Sequence, residues 1–389
     1  MSQHIKNYNY REIENKWEQS LSDAGTEDEG ASETYYKCQC MPILQPQEIS
    51  VADFRGRLLA DVWARYRCMQ GEDVLSLPDD VTMNQDAVQW IEPVIGRLEC
   101  EGYLLWEKEE GENIYGTLLL EHYIDALKKD LSLVMIPESV ANMQLDWLNR
   151  SDRIVLRNPR EQIFLALQFL YGQGEGVRYR PVDFYVNGTT HATRRLILSR
   201  FLSKVLYDWN MVDFKEPFLE IVSVGNITGE DGKKMDFARG NAVNPVFLEN
   251  DYGKDALRLY LLFVAPMRQD FAWDEDGLEG IYHFLTKLWN LVANGNDLSE
   301  SVTKEQQELC REMTEVLSDR YLQYKFNTVV SGLMEYNNRM IRLAREGALE
   351  KATVECYLKF LAPCAPYLAQ ELWHMLGNES SLLHGLHQH

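Results

Sequence analysis

Residues 231–241, DGKKMDFARGN, place Lys233, Lys234 and Arg239 in one short loop with Gly232 and Gly240. Ammonium and guanidinium groups beside permissive backbone suit phosphate oxygens, which need positive charge and closely approaching N–H donors. The same loop carries Asp236, and a second carboxylate, Asp53, stands at SVAD (50–53). A carboxylate repels phosphate directly, but beside a triphosphate it can hold Mg²⁺ and so restore positive charge. No other catalytic pattern competes: the chain has no GxxxxGK[ST], no GxGxxG after a strand, no GxSxG and no HExxH.

These groups need elements to position them. DFYVNG (183–188) is an apolar run closed by Asn187-Gly188, a strand ending in a tight turn. Thr189 or Thr190 can cap the helix that follows. Leu196, Ile197, Phe201, Leu202, Val205 and Leu206 recur at helical spacing between Ala192 and Trp209, with Arg194, Arg195, Arg200 and Lys204 between them, of which Arg194 and Arg195 read as solvated charges. FLEIVSVGNI (218–227) is the next strand, ending at Gly225-Asn226. Strand, helix and strand in this order form a right-handed parallel unit whose ligands sit beyond the strand C-termini, where both loops lie.

The earlier chain repeats the pattern. YYKCQCMPI (35–43) is a strand, FRGRLLADVWARYRCM (54–69) a helix with Leu58, Leu59, Val62 and Tyr66 on one face, and DVLSL (73–77) a second strand. Residues 8–20 form a short amphipathic helix, followed by an acidic linker to residue 34. From Gly277 onward the pattern is all helix, over 277–295, 304–322, 326–347 and 351–376. The terminal HGLHQH reads as a solvated tail.

Composition bounds the rest. At 389 residues the chain can bury two or three cores, and 45% hydrophobic with 25% charged residues is ordinary for a globular protein. A net charge of −21 argues against a broad nucleic-acid-binding face but leaves room for local basic patches. The seven cysteines contain no CxxC pair, so a zinc knuckle is not expected and reduced thiols in a cytoplasmic protein are. No signal peptide or membrane segment is expected.

Residues 181–276 resemble the second half of the catalytic domain of class I aminoacyl-tRNA synthetases, most closely the leucyl-tRNA synthetase branch. PVDFYVNGTTHA is similar to the segment around that family's Gly-Gly-x-Glu-His motif, and KKMDFARGNAVNP occupies the place of its KMSKS loop. Counting back from the ADVWARY helix puts Ser50–Asp53 at the HIGH tetrad. FLAPCAPYLAQELW resembles the anticodon-binding bundle. The resemblance implies an α/β fold: a Rossmann-like catalytic core with a parallel sheet, split by a shortened insertion and followed by an α-helical bundle. It divides the chain into 1–34 (helix and acidic linker), 35–95 (first core half), 96–180 (reduced insertion, without the editing domain), 181–276 (second core half) and 277–389 (bundle).

The resemblance also implies roles. Lys234 and Met235 match the family's Lys-Met, whereas Asp236 stands at its serine and Phe237 at its second lysine. Both HIGH histidines are absent, with Asp53 at the second. Lys234, Asp53 and Asp236 are thus the candidate catalytic or Mg²⁺-holding residues. The candidate substrate- or nucleotide-binding residues are Met41, Ser50, Asp80, Tyr185, Asn187, Gly188, His191, Gly225, Asn226, Met235, Gly240 and Asn241. ATP and Mg²⁺ are the cofactors implied, and an amino acid or aminoacyl-adenylate, tRNA or a protein partner the ligands. Three functions stand open: a pseudo-synthetase that binds without standard adenylation, a biosynthetic enzyme acting on an already activated amino acid, and a weak leucine-tRNA ligase.

Overall fold

The computed structural model describes residues 7–23, 36–40, 50–72, 74–76, 85–107, 114–133, 137–167, 170, 179–188, 192–293, 298–301, 303–347, 349–382 and 386–388. The linker beyond residue 23, Met41, Asp80, Thr189, Thr190, His191 and the side chains of the terminal His-containing tail lie outside them.

The elements in chain order are α1 (Tyr10–Asp23), β1 (Tyr36–Cys40), α2 (Val51–Met69), β2 (Val74–Ser76), α3 (Gln85–Cys100), β3 (Leu104–Trp106), β4 (Tyr115–Leu119), α4 (Ile124–Lys129), α5 (Glu138–Arg150), β5 (Arg153–Arg157), α6 (Pro159–Ala166), β6 (Val182–Gly188), α7 (Ala192–Asp208), β7 (Phe218–Val224), β8 (Ile227–Thr228), α8 (Pro245–Tyr252), α9 (Lys254–Phe263), β9 (Phe271–Ala272) and five helices, α10 (Asp276–Ala293), α11 (Lys304–Leu322), α12 (Phe326–Arg345), α13 (Lys351–Leu361) and α14 (Pro366–Met375). Among the described residues no helix is long and apolar enough to cross a membrane. The chain forms two compact units, one of residues 1–35, 47–74 and 225–388, the other built mainly of 36–46 and 75–224.

In the second unit the strands run β2-β1-β6-β7. β1 pairs parallel to β6, with Cys38 opposite Phe184, and β6 parallel to β7, with Val182 opposite Phe218 and Gly188 opposite Val224. Parallel strands need a crossover, which α7 supplies. Its apolar residues Leu196, Ile197, Phe201, Leu202, Val205 and Leu206 are all buried. Arg200 and Lys204 are buried as well, at 0% and 2% exposure. The physical reason is a shared polar network. Arg200 donates to both Glu216 carboxylate oxygens (Nε 2.8 Å, Nη2 3.0 Å), to Gln144 Oε1 (2.8 Å) and to the Leu127 carbonyl (2.8 Å). Lys204 pairs with Asp130 at 2.7 Å and Glu216 at 2.8 Å. A buried charge persists only when partners replace its water, and these do. After α3, β3, β4 and β5 form an antiparallel sheet, with Leu105 opposite Thr117 and Thr117 opposite Val155.

The first unit holds α1, α2 and the chain from Gly225. Its bundle helices follow their predicted periods; on α12, Phe326, Val329, Val330, Leu333, Tyr336 and Met340 are all buried. The single helix expected over 351–376 is two, α13 and α14. Pro363 falls between them and Pro366 opens α14, and a proline inside a helix removes a backbone donor and clashes with the preceding turn. α2 is fixed to the bundle by charge and ring contacts. Asp61 accepts from Arg65 at 2.9 Å and from Arg258 at 2.5 Å, and Tyr66 stacks on Tyr321 with centroids 4.3 Å apart. Burial alone would push the Asp61 carboxyl up, but the charges of Arg65 and Arg258 hold it at about 2.

α1 docks on the bundle through carboxylates. Glu371 accepts from Lys16 and from the Trp17 indole, both at 2.6 Å, and Glu14 accepts the Lys254 backbone N–H at 2.6 Å. Burial first, then the neighbouring charge of Asp255, pushes Glu14 up to about 7, with Lys254 opposing and Glu249 adding to the rise. Asp255, whose carboxylate receives the Leu368 and Tyr367 N–H groups at the start of α14, is raised by burial to about 6. A carboxyl raised in the folded state binds its proton more tightly there. Its contribution is complete below the unfolded value near 4.5 and is lost as pH rises through about 7. The docking of α1 is therefore expected to strengthen by on the order of 2 kcal/mol between pH 7.5 and 5. Chemical denaturation across that range checks it; Glu14→Gln should flatten the slope, and an unchanged slope in that variant contradicts the assignment.

Candidate functional site

The N-terminus of α2 and the loop after β8 belong to one unit and are joined by a backbone bond: Val51 N–H donates to the Val243 carbonyl at 2.9 Å. Ser50 is extended, with φ −86° and ψ 162°, and starts α2 as its N-cap. Its hydroxyl accepts the Asp53 N–H at 3.3 Å. In return, Asp53 Oδ2 accepts the Ser50 N–H at 3.1 Å and the Ser50 hydroxyl at 2.6 Å. This reciprocal arrangement is a capping box, which satisfies orphan donors in the first helical turn. The carboxylate also lies at the positive end of the helix dipole. The place where a helix offers itself to an anion thus already contains one, supplied by the chain.

The loop is held by Asn241. Its Oδ1 accepts the Asp236 N–H at 2.8 Å, and its Nδ2 donates to Asp231 Oδ1 at 2.9 Å and to the Lys234 carbonyl at 3.3 Å. Asp231 also accepts the Lys233 N–H at 3.0 Å. The Asn241 amide and that backbone bond hold the Asp231 carboxyl below the usual carboxylate range. Lys234 bridges back to Thr228, and Met235 N–H donates to the Ile227 carbonyl at 3.1 Å, burying the Met235 side chain. Gly240 turns the loop at φ +71°, a left-handed conformation that disfavours side chains. Asp236 is exposed, 3.8 Å from Arg239. The outcome is an ordered loop with Lys233, Lys234 and Arg239 interleaved with Asp231 and Asp236.

β7 stops at Val224 because the backbone turns away at Gly225 to meet residues 267–270. Gly225 N–H donates to the Met267 carbonyl at 2.9 Å, and Asn226 N–H donates to Asp270 Oδ1 at 2.6 Å. Ile227 and Thr228 then pair with Phe271 and Ala272 rather than prolonging β7. Gly225 and Asn226 thus fix the strand end. Beneath them lies Arg55, which sequence reasoning passed over. It is 1% exposed and donates to the carbonyls of Leu261 (3.2 Å), Ala265 (2.9 Å) and Pro266 (3.2 Å), closing the C-terminal end of α9, and its guanidinium lies 4.9 Å from the Phe271 ring centre. Burial lowers its pKa to about 10, with Asp270 opposing. Its signal was its position three residues before Leu58 and four before Leu59, on the buried face of α2.

In the other unit, Tyr185 is buried on β6 and its ring stacks on Phe218 with centroids 4.1 Å apart, so it serves the sheet core. Asn187 and Gly188 end β6 opposite Ser223 and Val224. Met41, Asp80 and His191 lie outside the described residues. Among the described residues no group of three or more His, Cys, Asp and Glu could hold a metal ion; Asp53 is engaged by its own helix cap, and Asp236 lies 3.8 Å from Arg239.

The comparisons agree with this architecture. Residues 171–274 match the family of class I tRNA synthetases (I, L, M and V), and residues 307–386 match the anticodon-binding domain of tRNA ligase. Among solved structures, the chain is similar to the LeuRS agnB2 of Agrobacterium radiobacter K84, from its ternary complex with tRNA and LeuAMS, at TM-score 0.81 and 14% identity over 97% of this chain and 90% of that one. Two methionyl-tRNA synthetase structures from Mycobacterium tuberculosis, both with methionyl-adenylate, match at TM-scores 0.68 and 0.70 and identities of 14% and 12%. The first covers 87% of this chain and 93% of its own, the second 90% and 96%. At such identities the structures establish the fold, and the two family matches cover both its catalytic-domain half and its bundle. Residues 171–274 and 307–386 thus match two domains of class I tRNA synthetases, and the chain shares the fold of those enzymes.

Proposed function

We propose that this chain is a pseudo-synthetase, a leucyl-tRNA synthetase-like scaffold of the cytoplasm that binds an amino acid, a nucleotide, tRNA or a protein partner without running standard aminoacylation. The observation that carries this reading is the Ser50–Asp53 capping box. Amino-acid activation attacks the α-phosphate of ATP and builds negative charge on phosphate oxygens, which preorganised donors must meet. At the place the resemblance assigns to HIGH, a carboxylate engages the first turn of α2. Two unit charges at about 4 Å and an effective dielectric of about 20 interact by roughly 4 kcal/mol, so repulsion in place of attraction there slows activation by orders of magnitude. Phe237 at the second lysine position removes a further donor.

The ordered loop supports a second reading, a biosynthetic enzyme acting on an aminoacyl-adenylate or aminoacyl-tRNA. Such substrates arrive with the phosphate chemistry done, and Asn241 holds the backbone of the loop that carries Lys234. Titration with ATP and Mg²⁺ tests the role of Asp53 in both readings. Asp53→Asn keeps an acceptor for the Ser50 N–H, with an expected stability change under about 1 kcal/mol, and removes the charge. It should bind ATP at least about tenfold more tightly than wild type. Equal affinities would remove Asp53 as the obstacle.

A further inference from the structure

Outside the loop and helix just described, two thiols stand on neighbouring helices of the bundle. Cys310 on α11 and Cys356 on α13 are each partly exposed. The Cys356 thiol lies 3.9 Å from the Cys310 carbonyl and 3.9 Å from the Thr314 hydroxyl, and the Cys310 thiol lies 3.9 Å from the Thr353 hydroxyl. The helices they stand on are in register through a shared polar cluster: Gln306 Oε1 accepts the Thr353 hydroxyl at 2.8 Å and the Glu350 N–H at 3.1 Å. Glu350 also accepts the Thr303 N–H at 2.7 Å, at the start of α11. The two sulfur atoms are thus presented by helices that already hold one another.

We propose that Cys310 and Cys356 are a redox-modification site, in which a hydroperoxide converts the two thiols to a disulfide that clips α11 to α13. Cys310 is the attacking sulfur. Its thiol is drawn below the ordinary thiol value, chiefly by the Cys356 thiol, with burial and the charge of Glu350 opposing. Cys356 is shifted upward by the same contact and then by burial, with Thr314 and Lys359 opposing, so it keeps its proton and is the resolving partner. The Cys310 thiolate gives an electron pair to one peroxide oxygen, the O–O bond breaks, and the departing oxygen leaves as water or an alcohol after taking a proton. Cys310 is then a sulfenic acid. The Cys356 sulfur attacks the Cys310 sulfur; the S–S bond forms, the S–O bond breaks, and hydroxide leaves with the Cys356 proton as water. The thiols lose two electrons and the peroxide gains them.

Other cysteines do not share this setting. Cys364 is fully buried and its thiol is pushed by burial up to about 12, while Cys38 and Cys68 are buried. The new bond would close a long stretch of chain containing all of α12, which restricts the unfolded chain and so favours the folded state.

The test treats the intact, reduced chain with hydrogen peroxide, blocks remaining thiols, and maps cysteines by peptide mass spectrometry. The expected result is a linked peptide pair joining Cys310 to Cys356, with a melting midpoint several degrees above that of the reduced protein. Cys356→Ser should leave Cys310 as a sulfenic acid trapped by dimedone, and Cys310→Ser should leave Cys356 reduced. Exposed Cys100 is the internal control for unselective oxidation. The proposal is overturned if Cys100 oxidises first while Cys310 and Cys356 remain alkylatable. It is equally overturned if Cys356 oxidises as fast in Cys310→Ser, or if the linked protein melts no higher than the reduced one.

Discussion

Arg200→Met is expected to destabilise the protein by about 3–5 kcal/mol, because it removes one partner from a buried charge network. Arg200 has 0% exposure and supplies two hydrogen bonds to Glu216, one to Gln144 and one to the Leu127 carbonyl. Methionine matches its stem but donates nothing, so Gln144 Oε1 and the Leu127 carbonyl lose a partner inside the protein. Glu216 keeps only Lys204, which it shares with Asp130. Urea denaturation measures the loss. Adding Glu216→Leu should recover part of it, since replacing both charges avoids leaving either one stranded. A single-variant loss below about 1 kcal/mol would mean that water reaches the network.

Gly225→Ala carries the other large effect, expected at about 3 kcal/mol or more. A Cβ there would stand 2.2 Å from the Gln269 carbonyl oxygen, 2.3 Å from its carbon and 2.8 Å from the Asp270 nitrogen. All three are backbone atoms, so no flexible side chain can swing aside. Residues 267–270 would have to move, and the Gly225–Met267 and Asn226–Asp270 bonds with them. The pairing of β8 with β9 depends on that approach. Hydrogen exchange at the Phe271 and Trp273 amides, which donate to the Asn226 and Thr228 carbonyls, should accelerate sharply in the variant. Wild-type protection there would contradict the steric account.

Much of the fold is legible in the sequence, because most elements obey one period. The buried faces of α2, α7 and α12 follow the helical spacing of their apolar residues, and β6 and β7 follow their apolar runs, while β1 follows an alternating pattern. Failures occur where distant partners decide. The burial of Arg200 cannot be read from local spacing, because its partners Glu216 and Gln144 are distant in sequence. The break between α13 and α14 is written in Pro363 and Pro366, but the apolar pattern runs across both and masks it. The strands β3 to β5 hide in a charged segment, stabilised by pairing with one another rather than by strong local alternation.

The candidate site divides in the same way. Gly225 is explained by Gln269 and Gly240 by its own positive φ, and only the second is a local property. Asp53 is instructive because two signals coincide. The resemblance presents it as a lost histidine. The local spacing Ser50-x-x-Asp53 presents it as the closing member of a capping box, and the hydrogen bonds supply the physical reason for a carboxylate there. The binding role of Asn241 is equally open to a structural reading, since its amide organises the loop from Asp231 to Asp236.

The central claim is that Asp53 and the altered loop prevent amino-acid activation. ATP–pyrophosphate exchange, measured with each of the standard amino acids and with Mg²⁺ varied, tests it most directly. The account predicts no exchange above background with any of them. Exchange with leucine, or with any one amino acid, would contradict it and identify the chain as a working activating enzyme.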